Sequence, residues 1–169
     1  MRIIVSDSRC LIDLRKVPLL DTFLRLPYEF LISNTLFEEE LLRFTAVQKK
    51  VLVCSGLKII DLPGERVLRA QAVVRNLPHI SVQDGFAFAL AESKPGCILL
   101  TGDDRLRTLA TQHVMDVRGV LWVLDEIQRN CLTTAATLLC ALRVFSADPT
   151  VRLPRREVDA YIKRYESMK

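Results

Sequence analysis

Short apolar segments rich in β-branched residues alternate along this chain with longer segments whose apolar residues recur at helical spacing. Residues 2–6 and 28–33 predict two strands, and similar segments at 58–62, 97–101 and 115–118 extend the series. Strands joined by helices in this order run parallel, because each connection is long enough to cross back over the sheet. The pattern therefore predicts a three-layer α/β/α fold with a parallel sheet of four or five strands.

The helical segments follow from the same spacing. Apolar residues between positions 11 and 24 predict two short helices divided at Pro18, and those between 35 and 56 predict one longer helix. Further helices are predicted between the later strands and after the last one, at 65–76, 82–93, 103–113, 120–130, 133–145 and 154–167. Residues 120–169 are thus expected to form a mainly helical C-terminal part.

Composition limits the classes of protein that fit. With 169 residues, 50% hydrophobic and 26% charged, the chain is expected to form one domain over residues 1–169 and not a disordered segment. No apolar run is long enough to span a bilayer and no signal peptide is recognisable, so we expect a cytoplasmic protein without membrane association. The net charge of +4 permits a polyanionic partner without requiring one.

Two acidic residues directly follow predicted strands. Asp7 comes after the strand 2–6, and Asp103 comes just after the segment 97–101. In an open parallel sheet, ligands bind beyond the carboxyl ends of the strands, which makes both residues candidates for a functional site. Aspartate is also a preferred N-cap residue, so the alternative is that each one only begins a helix.

Two further acids fall on faces that are otherwise apolar. Asp84 lies in a segment that is apolar almost all round, although Ser81 and Asp84 also have capping-box spacing. In the triplet 38–40, helical spacing places Glu40 among apolar residues, although acids near a helix start usually form a solvated face. A buried carboxylate must be paired, hydrogen-bonded or bound to a metal, because burying it alone costs more than a domain's stability margin.

Acids collected in one cleft repel one another, and a hard divalent cation relieves that repulsion. Mg²⁺ and Mn²⁺ prefer carboxylate and water oxygens, whereas two histidines and five cysteines without a C-x-x-C pair argue against zinc. A common function of such a site is hydrolysis of a phosphodiester by a metal-activated water.

Four segments occur in a recognisable order. They are IIVSDS at 3–8, IS and TLFEE within 32–39, SVQDGFAFALA at 81–91 and LLTGDDRLR at 99–107. Together they resemble the motifs of the PIN-domain family, compact metal-dependent nucleases that include the toxins of VapBC-type toxin–antitoxin pairs. The resemblance spans most of the chain and implies Mg²⁺- or Mn²⁺-dependent cleavage of RNA.

The resemblance also implies which residues are catalytic and bind one or two metal ions: Asp7, Glu39, Asp84 and Asp103. For the second motif, the six-residue spacing from Ser33 favours Glu39, whereas the helical stripe favours Glu40. We choose Glu39. Ser8 and Thr101 are expected to orient a ligand or a water, unless their hydroxyls only satisfy backbone groups.

Cations near these acids in the sequence are expected to contact the RNA phosphates: Arg9, Lys94, Arg105 and Arg107. Arg9 departs from the family pattern, in which this position is usually small and polar. The resemblance further implies a cognate antitoxin protein and a homodimer. The apolar run 120–124, which includes Trp122, could form the dimer interface, although core packing is the commoner use of such residues.

Two other functions fit parts of the sequence. A PIN-like scaffold without catalysis, acting through protein or RNA binding, would keep the acids as helix caps. A nucleotide-binding α/β protein is disfavoured, because the chain has no Gly-x-Gly-x-x-Gly or Walker sequence.

Overall fold

Five parallel strands form one sheet in the computed structural model, which describes residues 1–168. Their bounds are β1 (Arg2–Ser6), β2 (Tyr28–Ser33), β3 (Leu57–Ile60), β4 (Ile98–Leu100) and β5 (Asp116–Arg118). The strands lie in the order β3-β2-β1-β4-β5, and every neighbouring pair is parallel. The predicted α/β/α fold is confirmed, and the sheet has the larger of the two predicted strand numbers.

Ten helices lie within residues 1–168, between the strands and after the last of them. They are α1 (Ser8–Lys16), α2 (Leu20–Leu24), α3 (Asn34–Glu39), α4 (Ala46–Cys54), α5 (Gly64–Asn76), α6 (Val82–Glu92), α7 (Asp104–Gln112), α8 (Val120–Arg129), α9 (Ala135–Ala147) and α10 (Arg155–Glu166). The last three make the C-terminal part helical, as predicted, although Lys169 lies outside the described residues. None of the helices that the structure describes combines the length and apolar character needed to cross a membrane.

The helices form a layer on each side of the sheet. Helix α6 packs on β1, β2 and β4 and contacts α3, α5 and α7, while α1, α2 and α8 contact one another. The apolar run of α8 belongs to the core, because Val120, Leu121, Val123 and Leu124 are all buried. This run is therefore largely unavailable as a dimer interface, and the homodimer stays a prediction that rests on the family resemblance.

The single helix predicted over residues 35–56 is wrong. Helix α3 ends at Glu39, and α4 begins at Ala46 after a short turn. The reason is a capping box, in which Thr45 accepts a hydrogen bond from the backbone N–H of Gln48 and the Gln48 side chain accepts one from the backbone N–H of Thr45. This reciprocal pair begins a new helix at Ala46, whereas Glu40 still follows the stripe through Leu36, because it keeps helical backbone angles and its N–H donates to the Leu36 carbonyl oxygen.

The strand order locates the position where a ligand is expected. The chain winds from β1 outwards to β2 and β3, then returns to place β4 on the other side of β1. The connections after β1 and β4 therefore leave in opposite directions and open a crevice between them. This crevice lies at the carboxyl end of the sheet, where Asp7 and Asp103 emerge.

Candidate functional site

A cavity of about 550 Å³ opens at the carboxyl end of the sheet, and we call it the acid cavity. Its acidic lining residues are Asp7, Asp13, Glu40, Asp84 and Asp103, and its basic ones are Arg9, Lys16 and Arg43. Three of the four acids predicted for the site are thus brought together from three separate connections of the chain. The acids outnumber the bases by five to three, which leaves a negative surplus.

Asp7 is the most deeply buried acid of this cavity, with 4% of its surface exposed. Its Oδ1 accepts a hydrogen bond from the Cys10 backbone N–H (2.9 Å), and its Oδ2 accepts one from the Thr101 hydroxyl (2.6 Å). The Gly102 N–H adds a longer bond to Oδ2 (3.3 Å). Burial raises the pKa of Asp7 to about 6, and the nearby charge of Asp84 acts in the same direction.

Thr101 connects the two strand-end acids. Its hydroxyl donates to Asp7 and accepts a hydrogen bond from the backbone N–H of Asp103 (3.0 Å). Thr101 is fully buried, which makes this link rigid. The Thr101 hydroxyl thus orients the Asp7 carboxylate, which is consistent with the prediction that Thr101 orients a ligand of the site.

Asp103 and Asp84 each stand at a helix start. Asp103 is the N-cap of α7. Its Oδ1 accepts hydrogen bonds from the backbone N–H groups of Arg105 and Leu106. Asp84 lies in the first turn of α6, where its backbone N–H donates to the Ser81 hydroxyl (3.0 Å). Burial raises the pKa of Asp84, and the charge of Asp103, which lines the same cavity, raises it further.

Gly85 sets the position of the α6 start. A Cβ at this residue would lie 2.7 Å from Val74 Cγ2 and 3.0 Å from the Ala70 carbonyl oxygen, both on α5. The two helices can approach this closely only because the side chain is absent. The packing of α5 against α6 therefore fixes where the neighbouring Asp84 meets the cavity.

The structure corrects the choice between the two candidate glutamates. Glu40 lines the acid cavity and its carboxylate accepts a hydrogen bond from the Ser8 hydroxyl, whereas Glu39 is exposed and outside the lining. The helical stripe favoured Glu40, and Glu40 follows it, because the C-cap of α3 keeps helical backbone angles and its N–H donates to the carbonyl oxygen of the buried Leu36. Glu40 therefore replaces Glu39 in the candidate site.

Asp13 was not anticipated. It is buried, lines the acid cavity and lies 3.6 Å from the ammonium of Lys16, and burial raises its pKa. A signal was present in the sequence, because Asp13 falls at helical spacing between Cys10 and Leu14 on the apolar face of α1.

Of the four predicted phosphate-binding cations, only Arg9 lines the acid cavity. Lys94 lies at the other end of the sheet, in a cavity with Arg2 and Asp116, which stand at the starts of β1 and β5. The eight residue steps of α6 from Asp84 to Glu92 span about 12 Å along the helix axis, and Lys94 lies beyond that end. Lys94 is therefore not part of the site, and Lys16 and Arg43 are the unpredicted cations of its lining.

Arg105 and Arg107 lie close to the acids but point elsewhere. The Arg105 side chain is exposed and donates to the His79 carbonyl oxygen (3.1 Å). Arg107 donates to the Thr101 carbonyl oxygen (3.2 Å) and lines a neighbouring cavity instead of the acid cavity. Their predicted contact with a polyanion stays a prediction.

The carboxylates of the acid cavity are largely without cationic partners. Among residues 1–168, Asp7, Glu40, Asp84 and Asp103 form no salt bridge, and the one ion pair in the acidic lining joins Asp13 to Lys16. Within the same residues, no three His, Cys, Asp or Glu side chains are close enough to form a complete protein-only metal site.

The donor set nevertheless fits Mg²⁺ or Mn²⁺. It consists of carboxylate oxygens without a nitrogen or sulfur ligand, as hard cations prefer. Mg²⁺ is commonly bound through one or two carboxylates, with waters and substrate phosphates completing its shell, so a closed protein cluster is not required. One or two of Asp7, Glu40, Asp84 and Asp103 would hold such an ion, with waters and a substrate phosphate as its remaining ligands.

Comparison with known proteins gives a match that covers nearly the whole chain. A family model described as a PIN domain matches residues 3–167, which include the four predicted motifs and all three C-terminal helices. No curated protein matches the sequence.

Proposed function

The chain belongs to the PIN-domain family, a nuclease-type fold, and from this premise we propose that it is a Mg²⁺- or Mn²⁺-dependent endoribonuclease. The observation that carries the proposal is the acid cavity. Of the five acids that line it, all but Asp13 have no salt-bridge partner among residues 1–168, and Asp7 is buried. A buried carboxylate without a cation is costly, and a bound divalent ion would supply the missing charge.

The chemistry assigned to the cavity is hydrolysis of a phosphodiester. When bound, the divalent cation supplies Lewis acidity, which activates water and offsets charge on the phosphate. Thr101 and the Gly102 N–H hold the Asp7 carboxylate in one orientation, and Ser8 does the same for Glu40. Arg9, an exposed residue of the cavity lining, is expected to contact a substrate phosphate. No side-chain nucleophile is needed.

A cleavage assay with a matched pair of variants tests the proposal. Purified protein is incubated with labelled single-stranded and structured RNA in Mn²⁺ or in EDTA. We expect cleavage only with the metal, and we expect Asp7→Asn to abolish it. Asp61→Asn is the control, because Asp61 also follows a strand, β3, but is exposed and outside the acid cavity. Equal cleavage by both variants, or no cleavage by the wild-type protein, would overturn the proposal.

The proposal extends to a toxin with a cognate antitoxin, as the family resemblance implies. Overexpression is then expected to arrest growth, and Asp7→Asn is expected to relieve the arrest. A small gene directly upstream would be the simplest indication of the antitoxin. The homodimer is checked separately by light scattering of the purified chain.

One observation favours a different function, a binding scaffold without catalysis. Asp7 and Asp103 both accept helix-capping hydrogen bonds, which gives each a structural role without any metal. The scaffold predicts RNA binding that is independent of Mn²⁺ and no growth arrest. It also predicts that Asp7→Asn lowers stability, since an amide nitrogen in place of Oδ2 cannot accept the hydrogen bonds of the Thr101 hydroxyl and the Gly102 N–H.

A further inference from the structure

A second cavity, of about 430 Å³, adjoins the acid cavity. Arg9 and Asp13 line both cavities and form their shared wall. Thr101 and Gly102, which donate hydrogen bonds to Asp7, also line the second cavity. A polynucleotide with one phosphate at the acid cavity would therefore have its neighbouring nucleotide at the second cavity.

The lining of the second cavity combines guanidinium groups with aromatic rings. Besides Arg9 it contains Arg107, Arg118 and Arg152, together with the rings of Trp122 and Tyr161. The Trp122 ring is held against Tyr28, with 5.9 Å between ring centroids, and the Tyr161 hydroxyl donates to Asp125 (2.5 Å). Both rings are therefore fixed before any ligand arrives, which lowers the entropy lost on binding.

The arginines differ in how far they are engaged by the protein. Arg107 donates to the Thr101 carbonyl oxygen, and Arg118 is paired with Asp116 (2.7 Å). Arg152 is exposed and has no salt bridge to any of residues 1–168. Of these three it is the one whose guanidinium can turn fully towards a ligand phosphate.

The charge of the lining favours a nucleotide over a bare phosphate ion. Four arginines face three acids, Asp13, Asp104 and Glu157, so the surplus is a single positive charge. Carboxylates repel an inorganic anion but accept hydrogen bonds from the amino groups of a base, and aromatic rings stack on its face. A nucleotide fits this lining, because its phosphate can contact the arginines and its base can contact the carboxylates and the aromatic rings.

We infer that the second cavity is the subsite for the nucleotide next to the cleaved bond of a single-stranded RNA, with Arg152 contacting its phosphate and Trp122 its base. The inference rests on the proposed ribonuclease function and adds to it a subsite built from the C-terminal part of the chain. Single-stranded RNA is required, because a base can stack on a protein ring only when it is not paired within a duplex.

Intrinsic fluorescence reports on this subsite directly, because Trp122 is the chain's one tryptophan. The wild-type protein is titrated with a short single-stranded oligoribonucleotide in EDTA, where metal-dependent cleavage does not proceed. We expect a saturable change in Trp122 emission. Binding detected by the anisotropy of a labelled oligonucleotide, without any change in Trp122 emission, would overturn the inference.

A pair of exposed arginines provides the matched variants. Arg152→Ala is expected to raise Kd about fivefold and to lower the slope of log Kd against log salt by about 0.7, the value for one phosphate of a single strand. Arg156→Ala, also exposed but outside the cavity lining, is expected to leave both quantities unchanged. Equal effects of the two variants would contradict the subsite.

The failure of this subsite can be told apart from failure of the proposed function. Cleavage of RNA by the wild-type protein in Mn²⁺, with equal Kd for Arg152→Ala and Arg156→Ala, would refute the subsite and leave the nuclease intact. Absence of cleavage would refute the nuclease and with it a subsite next to a cleaved bond, while the fluorescence titration in EDTA would still show whether the second cavity binds a nucleotide.

Discussion

At the amino end of the sheet, acidic side chains are paired with arginine or lysine, whereas most of those at the carboxyl end are not. Glu29 lies 2.8 Å from Lys58 and Asp116 lies 2.6 Å from Arg2. Glu92, at the end of α6, is bound through both oxygens by Arg69. Asp84, at the start of the same helix, has no salt bridge to any residue within 1–168.

The pKa shifts follow this division. Arg69 lowers the pKa of Glu92, while burial raises the pKa of Asp84 and raises that of Asp7 to about 6. The protein therefore stabilises ionised carboxylates at one end of the sheet and leaves them unfavourable at the other. In their ionised forms Asp7 and Asp84 therefore lower the stability of the isolated chain, and a bound cation would offset that cost.

The largest expected effect is on the rate of RNA cleavage, which should depend on an acid at the carboxyl end of the sheet and not on one at the amino end. Asp84→Asn removes a candidate metal ligand and is expected to lower the rate of Mn²⁺-dependent RNA cleavage by about a thousandfold, or about 4 kcal/mol of transition-state stabilisation. Glu92→Gln, on the same helix, is the control and is expected to stay within about twofold of wild type. The measurement is kcat/KM on a labelled RNA. Comparable losses in both variants would remove the distinction between the two ends.

The second prediction concerns pH and stability. Because the pKa of Asp7 is about 6 in the folded chain and 3.8 by its ordinary value, its contribution to stability is fully present below about pH 4 and is lost as pH rises through 6. The loss amounts to about 3 kcal/mol at neutral pH. The difference in unfolding free energy between wild type and Asp7→Asn, measured by urea denaturation from pH 4 to 7, should change by this amount.

Added Mn²⁺ provides a second test of the role of Asp7. An ion held by Asp7 favours its ionised form, so added Mn²⁺ should raise the Tm of wild type above pH 6 and leave Asp7→Asn unaffected. Equal Tm shifts in the two proteins would mean that the ion binds elsewhere.

Next in size is the comparison of two adjacent glutamates. Glu40→Gln is expected to lower kcat/KM about tenfold or more, because Glu40 lines the acid cavity, whereas the exposed Glu39→Gln is expected to change it little. The two variants have the same chemistry and neighbouring positions, which makes them a close control for each other. A larger loss in Glu39→Gln would restore the assignment from motif spacing.

The fate of these glutamates shows how far sequence patterns reach. Asp7 and Asp103 could be placed at the site because Asp7 directly follows β1 and Asp103 comes three residues after β4, and strand ends are a local property of the sequence. Helical spacing places Glu40 one turn after the buried Leu36, whereas Glu39 lies about 100° away around the axis and is exposed. The capping box at Thr45 was the readable signal that the predicted long helix is divided.

Other parts of the site could not be predicted from local patterns. Lys94 is near Asp84 in sequence, but the length of α6 carries it to the opposite end of the sheet. The loop at Thr150 reaches the acid cavity through contacts with α1, where the Lys16 ammonium donates to the Thr150 hydroxyl (2.5 Å). Such pairings across more than a hundred residues follow from tertiary packing, and no spacing rule contains them.

Substitutions at two glycines test the packing of α5 against α6, which fixes the position of Asp84. Gly85→Ala is expected to lower the unfolding free energy by about 1–2 kcal/mol, because the new methyl would meet Val74 and the rigid Ala70 backbone, outweighing the gain in helix propensity. Gly64→Ala is the control, since open space surrounds that position, and it should be neutral or slightly stabilising. Urea denaturation measures both, and equal changes would contradict the close approach of α5 and α6.

The smallest expected effect is on the unfolding free energy. Substitutions at the two ends of α6 should change it in opposite directions. Glu92→Gln should lower the unfolding free energy by about 0.5–1 kcal/mol at neutral pH, because its ion pairs are partly exposed and the amide still accepts one hydrogen bond. That loss should disappear as pH falls below the lowered pKa of Glu92. Asp84→Asn should instead raise stability at neutral pH without metal, since the pKa of Asp84 is raised by burial. Destabilisation by both substitutions would mean that Asp84 serves the fold as Glu92 does, and the contrast between the two ends of the sheet would be lost.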